Sequence, residues 1–342
     1  LQIAALLPQS GSLAHLGKAF LDASQMAMFK TANGNVELKV YDTGEGEEEA
    51  RQAALQALNE GAEVLLGPIR AADVRAIAPI AQSQRVPVLA FSNDATVAGF
   101  DTYVLGFDPQ QQIATIIDFA RTRSLTRINL LVPDSVYGAR VREAANALSH
   151  THTHISLRTQ TYRAQDQDQR PTLAQITRHE ADLYILAATS ASAFNLLVSQ
   201  LDYLDVNPPE TVIIGLQPVD SFPSLEREPS MQGIWYVAPP DQNRVRFNDD
   251  FSGLYGYNAP RLASLAYDGM ALAIKMVQNR RLGQIDGDLT NPSGFTGVDG
   301  LLRFSSSGVN DRRYAIFEIS PRGRQMIIMP AETFADGPEA SG

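Results

Sequence analysis

Residues 64–96 read VLLGPIRAADVRAIAPIAQSQRVPVLAFSNDAT, and this stretch decides the fold. Val64–Leu66 is a short apolar run that stops at Gly67-Pro68. A helix is expected over residues 71–84, because Val74, Ile77, Ala78 and Ala81 recur on one face at helical spacing. Residues 87–90 form a second apolar run, which opens into the polar loop Ser92-Asn93-Asp94. A strand–helix–strand unit of this kind joins two parallel strands through a right-handed crossover. Ligands of such open sheets bind beyond the carboxyl ends of the strands. The loops at residues 68–71 and 91–96 lie at that edge and are the first candidates for a binding site.

The same pattern extends on both sides. Toward the N-terminus, Gln2–Leu7 is a buried-type strand ended by Pro8, and residues 13–30 form a helix. Residues 36–41 alternate as a strand, and a helix runs from Gly46-Glu47-Glu48-Glu49 to Asn59. Its acidic first turn suits the positive end of the helix dipole. Four strands and three helices therefore alternate within about ninety residues, which predicts a parallel sheet covered on both faces. Residues 103–107 look extended and lead away from this set.

A second series follows: helix 109–123 with Pro109 in its first turn, strand 127–132, a helix to residue 148, strand 154–162 and helix 172–179. Strand 183–187, a helix to residue 203 and strand 212–215 complete it. Helices at 243–255 and 261–279 and strands at 300–304 and 313–319 come last. The Gly/Pro/Ala/Ser-rich stretch 336–342 reads as a flexible tail.

At 342 residues the chain is long enough for two domains. With 44% hydrophobic and 19% charged residues it has the composition of a soluble globular protein. A formal net charge of −10, with no dense Lys/Arg cluster, argues against nucleic acid or an anionic membrane surface as partner. The absence of cysteine removes thiol catalysis, disulfides and thiolate metal sites. No apolar run reaches the roughly 18 residues that span a bilayer. The chain opens directly on a strand, so an export signal peptide or lipid-anchor segment is expected to lie outside it.

Enzyme signatures fail. Gly11 to Gly17-Lys18-Ala19 is one residue too long for a phosphate-binding P-loop and carries Ala where Ser or Thr is needed. There is no G-x-G-x-x-G after the first strand and no G-x-S-x-G nucleophile elbow. His179-Glu180 lacks the second histidine of a zinc-protease helix. No enzyme activity and no cofactor are expected. His150, His152 and His154 alternate, so a strand would put their rings on one face, where they could hold a divalent metal. No carboxylate sits at ligand spacing, and a solvated helix-to-strand connection is the favoured reading, with no metal.

The strand-end loops are richer in chemistry. Ser10 and Ser12 follow the first strand, Arg70 the third, and Ser92, Asn93, Asp94 and Thr96 the fourth. The second series supplies Asp134, Ser135, Tyr137, Thr189, Ser190 and Gln217. Short hydroxyls beside helix N-terminal N–H groups receive a carboxylate well. Asp94 is expected to take an ammonium and Arg70 a second acid group. Each of these residues also has a plain alternative role as a helix N-cap.

The segments IAALLPQSGSLAHLGKAFLDASQMA, VYDTGEGEEEARQAALQAL, GAEVLLGPIRAADVRAIAPIAQSQRVPVLAFSNDATV, INLLVPDSVYGARV and ASLAYDGMALA, in this order and spacing, resemble the type 1 periplasmic binding proteins. The branch is that of the Leu/Ile/Val-binding proteins. The resemblance implies an α/β fold of two Rossmann-like lobes, joined by three hinge crossovers and closing over a small ligand. Lobe one is then 1–107 plus 238–297, and lobe two 108–237 plus 298–335. It also implies an exported, periplasmic protein that captures a small amino-acid-like ligand for the membrane subunits of an ABC transporter.

Site residues carry over unevenly. The family's carboxylate-binding Ser after the G-P loop matches Ala71, whose backbone N–H remains. Tyr137, in D-S-V-Y-G, matches the cleft tyrosine, and Gln217 stands at an often acidic position. The combination PVLAFSND…VAG…YVLGFDPQQQ is also similar to penicillin-binding protein activators. That likeness implies a second function, docking on a peptidoglycan synthase.

Overall fold

The computed structural model describes residues 2–31, 36–216, 225–281, 289–330 and 333–334. The chain divides into two compact units, residues 1–108 with 240–313 and 331–342, and residues 109–239 with 314–330.

In the first unit β1 (Gln2–Leu7), β2 (Glu37–Asp42), β3 (Val64–Leu66), β4 (Val88–Ala90) and β5 (Thr102–Val104) form one parallel sheet in the order β2-β1-β3-β4-β5. Extended chain around residue 103 therefore does not leave the set: it pairs with β4 as a fifth strand, with Leu89 beside Tyr103. Alternation along β1 sends Ala4 and Leu6 to a core with Ala50, Ala54 and Leu58 of α2 (Glu47–Asn59) and Val74 and Ile77 of α3 (Ala71–Ser83). The other face is covered by α1 (Ala14–Thr31) and α9 (Ala263–Arg281), which pack on each other. Phe20 of α1 meets Phe91 edge-on at 4.8 Å. Both faces are buried, so β1, β3 and β4 read as continuous apolar runs.

The segment β11 (Phe295–Gly297), β12 (Gly300–Phe304) and β13 (Asn310–Arg312) forms a small antiparallel sheet. It belongs to the first unit, which corrects the expected assignment of residues 298–313 to lobe two. The reason is pairing. Val104 N–H donates to the Gly308 carbonyl, and the Asn310 amide donates to the carbonyls of Val104 and Gly106 at 2.7 and 3.0 Å. Phe334 is buried in the same unit, under the guanidinium groups of Arg303 and Arg313. The stretch 336–342 lies outside the described residues.

In the second unit the order is β15-β14-β10-β9-β8-β6-β7. Here β6 (Arg127–Pro133), β7 (Ser156–Tyr162), β8 (Leu183–Leu186), β9 (Val212–Gly215) and β10 (Trp235–Ala238) are parallel, and β14 (Ala315–Ser320) and β15 (Gly323–Ile328) extend them antiparallel. Residues of α6 (Arg170–Ile176) and α7 (Ala191–Asp202) pack on one face with Leu131, Leu186 and Phe317. The helices α4 (Pro109–Thr122) and α5 (Val136–Thr151) bury Ile113, Ile116, Val141 and Ala145.

The two units repeat one local device. A Cβ on Gly17 of α1 would lie 1.8 Å from the Pro8 carbonyl oxygen, and a Cβ on Gly138 of α5 would lie 1.9 Å from that of Pro133. In each unit the helix that follows the first strand thus runs back so closely against the end of that strand that only glycine fits. Among the described residues no helix is long and apolar enough to cross a membrane.

A buried charge cluster holds α8 (Gln242–Tyr255), α9 and the small sheet together. Asp299, fully buried in the β11–β12 turn, accepts from Arg261 Nη1 at 2.6 Å and from Ser264 Oγ at 2.7 Å. Arg244 stands 3.6 Å from the same carboxylate, and Arg312 Nη1 donates to the Asp299 carbonyl. These arginines, with burial opposing them, hold the Asp299 carboxyl below its usual range. Nearby Asp268 accepts from Val298 N–H, and burial, reinforced by the charge of Asp299, pushes its carboxyl up to about 7.

Because its folded pKa lies above the unfolded value, Asp268 favours folding most at acid pH. That contribution is lost as pH rises through about 7. Asp268→Asn is expected to remove this component, so its melting temperature falls less than that of the wild type between pH 5 and pH 8. Asp299→Asn leaves buried guanidinium groups without their counter-charge and is expected to cost about 3–5 kcal/mol in denaturant unfolding.

Candidate functional site

At the carboxyl edge of the first unit, the β1–α1 loop is gripped by acidic side chains from the β2–α2 loop. Asp42 Oδ1 accepts from the backbone N–H groups of Gln9 and Gly44, each at 2.8 Å, and its Oδ2 accepts from Ser10 Oγ at 2.8 Å. These bonds outweigh burial and lower the Asp42 pKa. Glu45 Oε1 accepts from Ser12 N–H at 2.7 Å, and that bond lowers the Glu45 pKa. A Cβ on Gly11, which has φ +74°, would lie 2.3 Å from the Glu45 side chain. The Ser10 hydroxyl and the Ser12 N–H, both expected to face a ligand carboxylate, are therefore already bonded to the protein's own carboxylates.

Arg70 is the N-cap residue of α3 and turns back on its own unit. Its Nε donates to Asp73 Oδ2 at 2.8 Å, Nη2 donates to the Gly44 carbonyl at 3.2 Å, and Nη1 donates to the Glu45 carbonyl. Burial raises the Asp73 pKa against the pull of Arg70. The guanidinium thus clasps the β2–α2 loop rather than standing ready for a second acid group. Arg70 makes no side-chain cap bond, so Ala71 starts α3 with its first-turn N–H groups at the carboxyl edge and without a side-chain acceptor from the N-cap.

The β4 loop is similarly self-contained. Asp94, 2% exposed, caps the 3-10 turn Ala95–Val97: its Oδ1 accepts from Thr96 N–H at 3.1 Å and from Thr96 Oγ1 at 2.6 Å. Its Oδ2 accepts from Arg75 Nη2 at 2.7 Å, and Ser92 Oγ accepts from Asp94 N–H. The expected ammonium receiver is thus a buried cap with a guanidinium already on it. Asn93 and Thr96 are exposed beside it, and Ser92 is buried.

At the carboxyl edge of the second unit, Ser135 caps α5 by accepting from Gly138 N–H, and Ser190 caps α7 by accepting from Ala193 N–H, each at 3.2 Å. Tyr137, in the first turn of α5, is half-buried, and burial raises its phenol pKa. Tyr162 donates to the Ala187 carbonyl at 2.9 Å, and burial pushes its phenol up to about 12. Thr189 is exposed just before the α7 cap. Gln217 lies outside the described residues.

The three alternating histidines do not sit on a strand. His150 is in α5, His152 is its C-cap, and β7 begins only at Ser156. His150 Nδ1 lies against the Asn146 carbonyl and His152 Nδ1 against that of Leu148. Among the described residues no group of side chains is arranged to hold a metal ion. Sequence reasoning missed Asp42, Glu45 and Arg75 as the holders of the edge loops. The run D-T-G-E-G after β2, directly opposite two serines on the neighbouring strand's loop, was the available signal.

Solved structures share this fold along nearly the whole chain. A putative branched-chain amino acid ABC transporter protein from Rhodospirillum rubrum superposes with a TM-score of 0.80 at 14% identity, over 96% of this chain and 99% of that one. The branched-chain amino acid transporter substrate-binding protein of Streptococcus pneumoniae, in complex with isoleucine, gives 0.70 at 15% identity, over 97% and 99%. A solute-binding protein of an ABC transporter from R. palustris, in complex with benzoate, gives 0.70 at 16% identity, over 98% of each chain. At these identities the likeness is one of fold. No curated protein matches the sequence. A family model described as periplasmic binding protein matches residues 1–304, most of the length, and the chain belongs to that family.

Proposed function

We propose that this protein is the periplasmic solute-binding component of an ABC importer, and that its ligand is a small organic acid, amino-acid-like or aromatic. The observation that carries the ligand class is the start of α3. There the family's hydroxyl position is Ala71, no side chain caps the helix, and the first-turn N–H groups at the sheet's carboxyl edge suit a carboxylate. The ligands of the two neighbours solved in complex, isoleucine and benzoate, share only a carboxylate and an apolar body. That common chemistry fits backbone donors better than it fits an obligatory ammonium receiver. In this reading Ser10, Ser12, Arg70, Ser92 and Asp94 shape the edge of the first unit through the bonds described above, and Tyr137 and Thr189 stand at the carboxyl edge of the second unit. Transport rather than catalysis follows from the family.

Ala71→Pro tests the carboxylate receiver directly. Proline is tolerated in the first position of a helix, and Arg70 already has the extended conformation (φ −83°, ψ 138°) that must precede it. The substitution removes one N–H with little cost to folding. Calorimetry with the best acid from a panel of amino acids and aromatic acids is expected to show a loss of about ten- to a hundredfold, from about 1.5–3 kcal/mol for a bond to a charged group. Unchanged affinity would remove the start of α3 from the site. Asp94→Ala is expected to lower the melting temperature, since it deletes a cap worth about 1 kcal/mol, while leaving the preference between amino acids and amine-free acids unaltered. A selective loss of amino acids would restore Asp94 as an amine receiver.

A further inference from the structure

The amino edge of the second unit carries a concavity of about 220 Å³, lined by Arg127, Asn129, Ser156, Arg158, Arg178 and His179, with Ile128 and Glu180. It is well below the roughly 300–1,000 Å³ typical of clefts for organic ligands. It lies at the start of β6 and β7, where the parallel register sets Arg127 beside Ser156 and Asn129 beside Arg158. Alternation puts these four side chains on one face of the sheet, and β7 is the sheet's edge strand. The segment after α6 forms the remaining wall, held by a buried amide: Asn129 is 1% exposed, and its Nδ2 donates to the carbonyls of Ile176 and His179 at 3.2 and 3.3 Å. That clamp fixes the segment carrying Arg178 against β6, whose Asn129 is paired in register with Arg158 of β7.

The charges in this hollow are unequal. Arg127 is neutralised: Nη2 and Nε donate to Asp182 Oδ1 at 2.6 and 3.0 Å, and Nη1 donates to Glu180. Arg158 and Arg178 form no ion pair among the described residues. Two guanidinium groups without an ion pair are thus brought into one small hollow whose lining carboxylate, Glu180, is engaged by Arg127, in a protein whose net charge is −10. The arginines are 31 and 20 residues apart in sequence, so no basic run betrays them (158 − 127 and 178 − 158).

We propose that this hollow is an oxyanion site that takes a phosphate group, with Arg158 and Arg178 supplying forked N–H donors and the Ser156 hydroxyl an additional one. Guanidinium geometry matches phosphate oxygens in pairs, which a lysine pair would not do. The phosphate comes from the solution as the free ion or from an anionic lipid headgroup, and the chemistry of recognition is the same. The site stands at the amino edge of the second unit's sheet and does not depend on the ligand reading given above.

The test is calorimetric titration of inorganic phosphate into the wild type and into the double variant Arg158→Gln/Arg178→Gln. Both side chains are exposed, so the variant should fold, and its far-ultraviolet dichroism and melting temperature in phosphate-free buffer establish that it does. The expected result is saturable binding by the wild type, weakened at least tenfold in the variant and falling with added sodium chloride, as an exposed charged site requires. In parallel, both proteins are sedimented with phosphatidylglycerol and phosphatidylcholine vesicles. Arginine-dependent binding of free phosphate assigns the site to a solute, and arginine-dependent binding of the anionic vesicles alone assigns it to a headgroup. Either supports the site. Binding of neither probe, or binding equal in the two proteins, overturns it, whatever the outcome of the amino-acid and aromatic-acid titrations.

Discussion

Parallel pairing is the constraint on which the rest of the structure depends. Because β1 to β5 all run the same way, every strand delivers its chain to a loop at one edge, and the helix that follows β1, β2 or β3 begins there. Helix starts carry N–H groups that the helix itself cannot satisfy. Crowding several of them onto one edge creates a demand for anions, and the sequence decides which are met from within. In the first unit Asp42, Glu45 and Asp94 meet most of it: Asp42 and Glu45 bind the loops after β1 and β2 to each other, and Asp94 closes the loop after β4 and ties it, through Arg75, to α3. At the start of α3, as at that of α2, the N-cap residue supplies no such side chain. Charge distribution and binding capacity are therefore two consequences of one topology.

The opposite edges work differently. At the amino ends of β6 and β7 the chain arrives from helix C-termini and loops, and side chains rather than backbone donors set the electrostatics. There a buried asparagine takes the part that carboxylate caps play at the other edge, fixing a loop so that exposed charges keep their places. In the first unit, the Asp299 cluster shows a third use of buried charge. Three arginines, two aspartates and a serine join α8, α9 and the small antiparallel sheet.

Much of the fold was legible because fully buried strands have no polar alternation to disguise them. Val64–Leu66 and the chain around Val88–Ala90 announced themselves as short apolar runs, and the helices between them followed from period and caps. What could not be read was pairing at a distance. Thr102–Val104 alternates like any exposed extended segment, and only its register with β4 makes it a strand. Trp235–Ala238 is four residues long and lies where a crossover was expected, and Gly323–Ile328 mixes polar and apolar residues because it is the outermost strand of its sheet. Residues 298–313 belong with the first unit through bonds from Asn310 to Val104 and Gly106, 206 and 204 positions away. The edge residues were legible as a set but not in their roles. Serine, aspartate and arginine at strand ends have the same appearance whether they await a ligand or hold each other, and only the distances around Ser12, Arg70 and Asp94 separate the two.

The most direct measurement of the central claim is an amide chemical-shift titration of the ¹⁵N-labelled protein with isoleucine and with benzoate. If the uncapped start of α3 receives the ligand acid, the largest saturable shifts fall on the amides of Ala71, Ala72 and Asp73, while Ser12, whose N–H is already bonded to Glu45, moves little. Saturable shifts centred on Ser12 and Gln9, with α3 unmoved, would contradict the account. They would mean that the protein's own carboxylates yield their donors to the ligand.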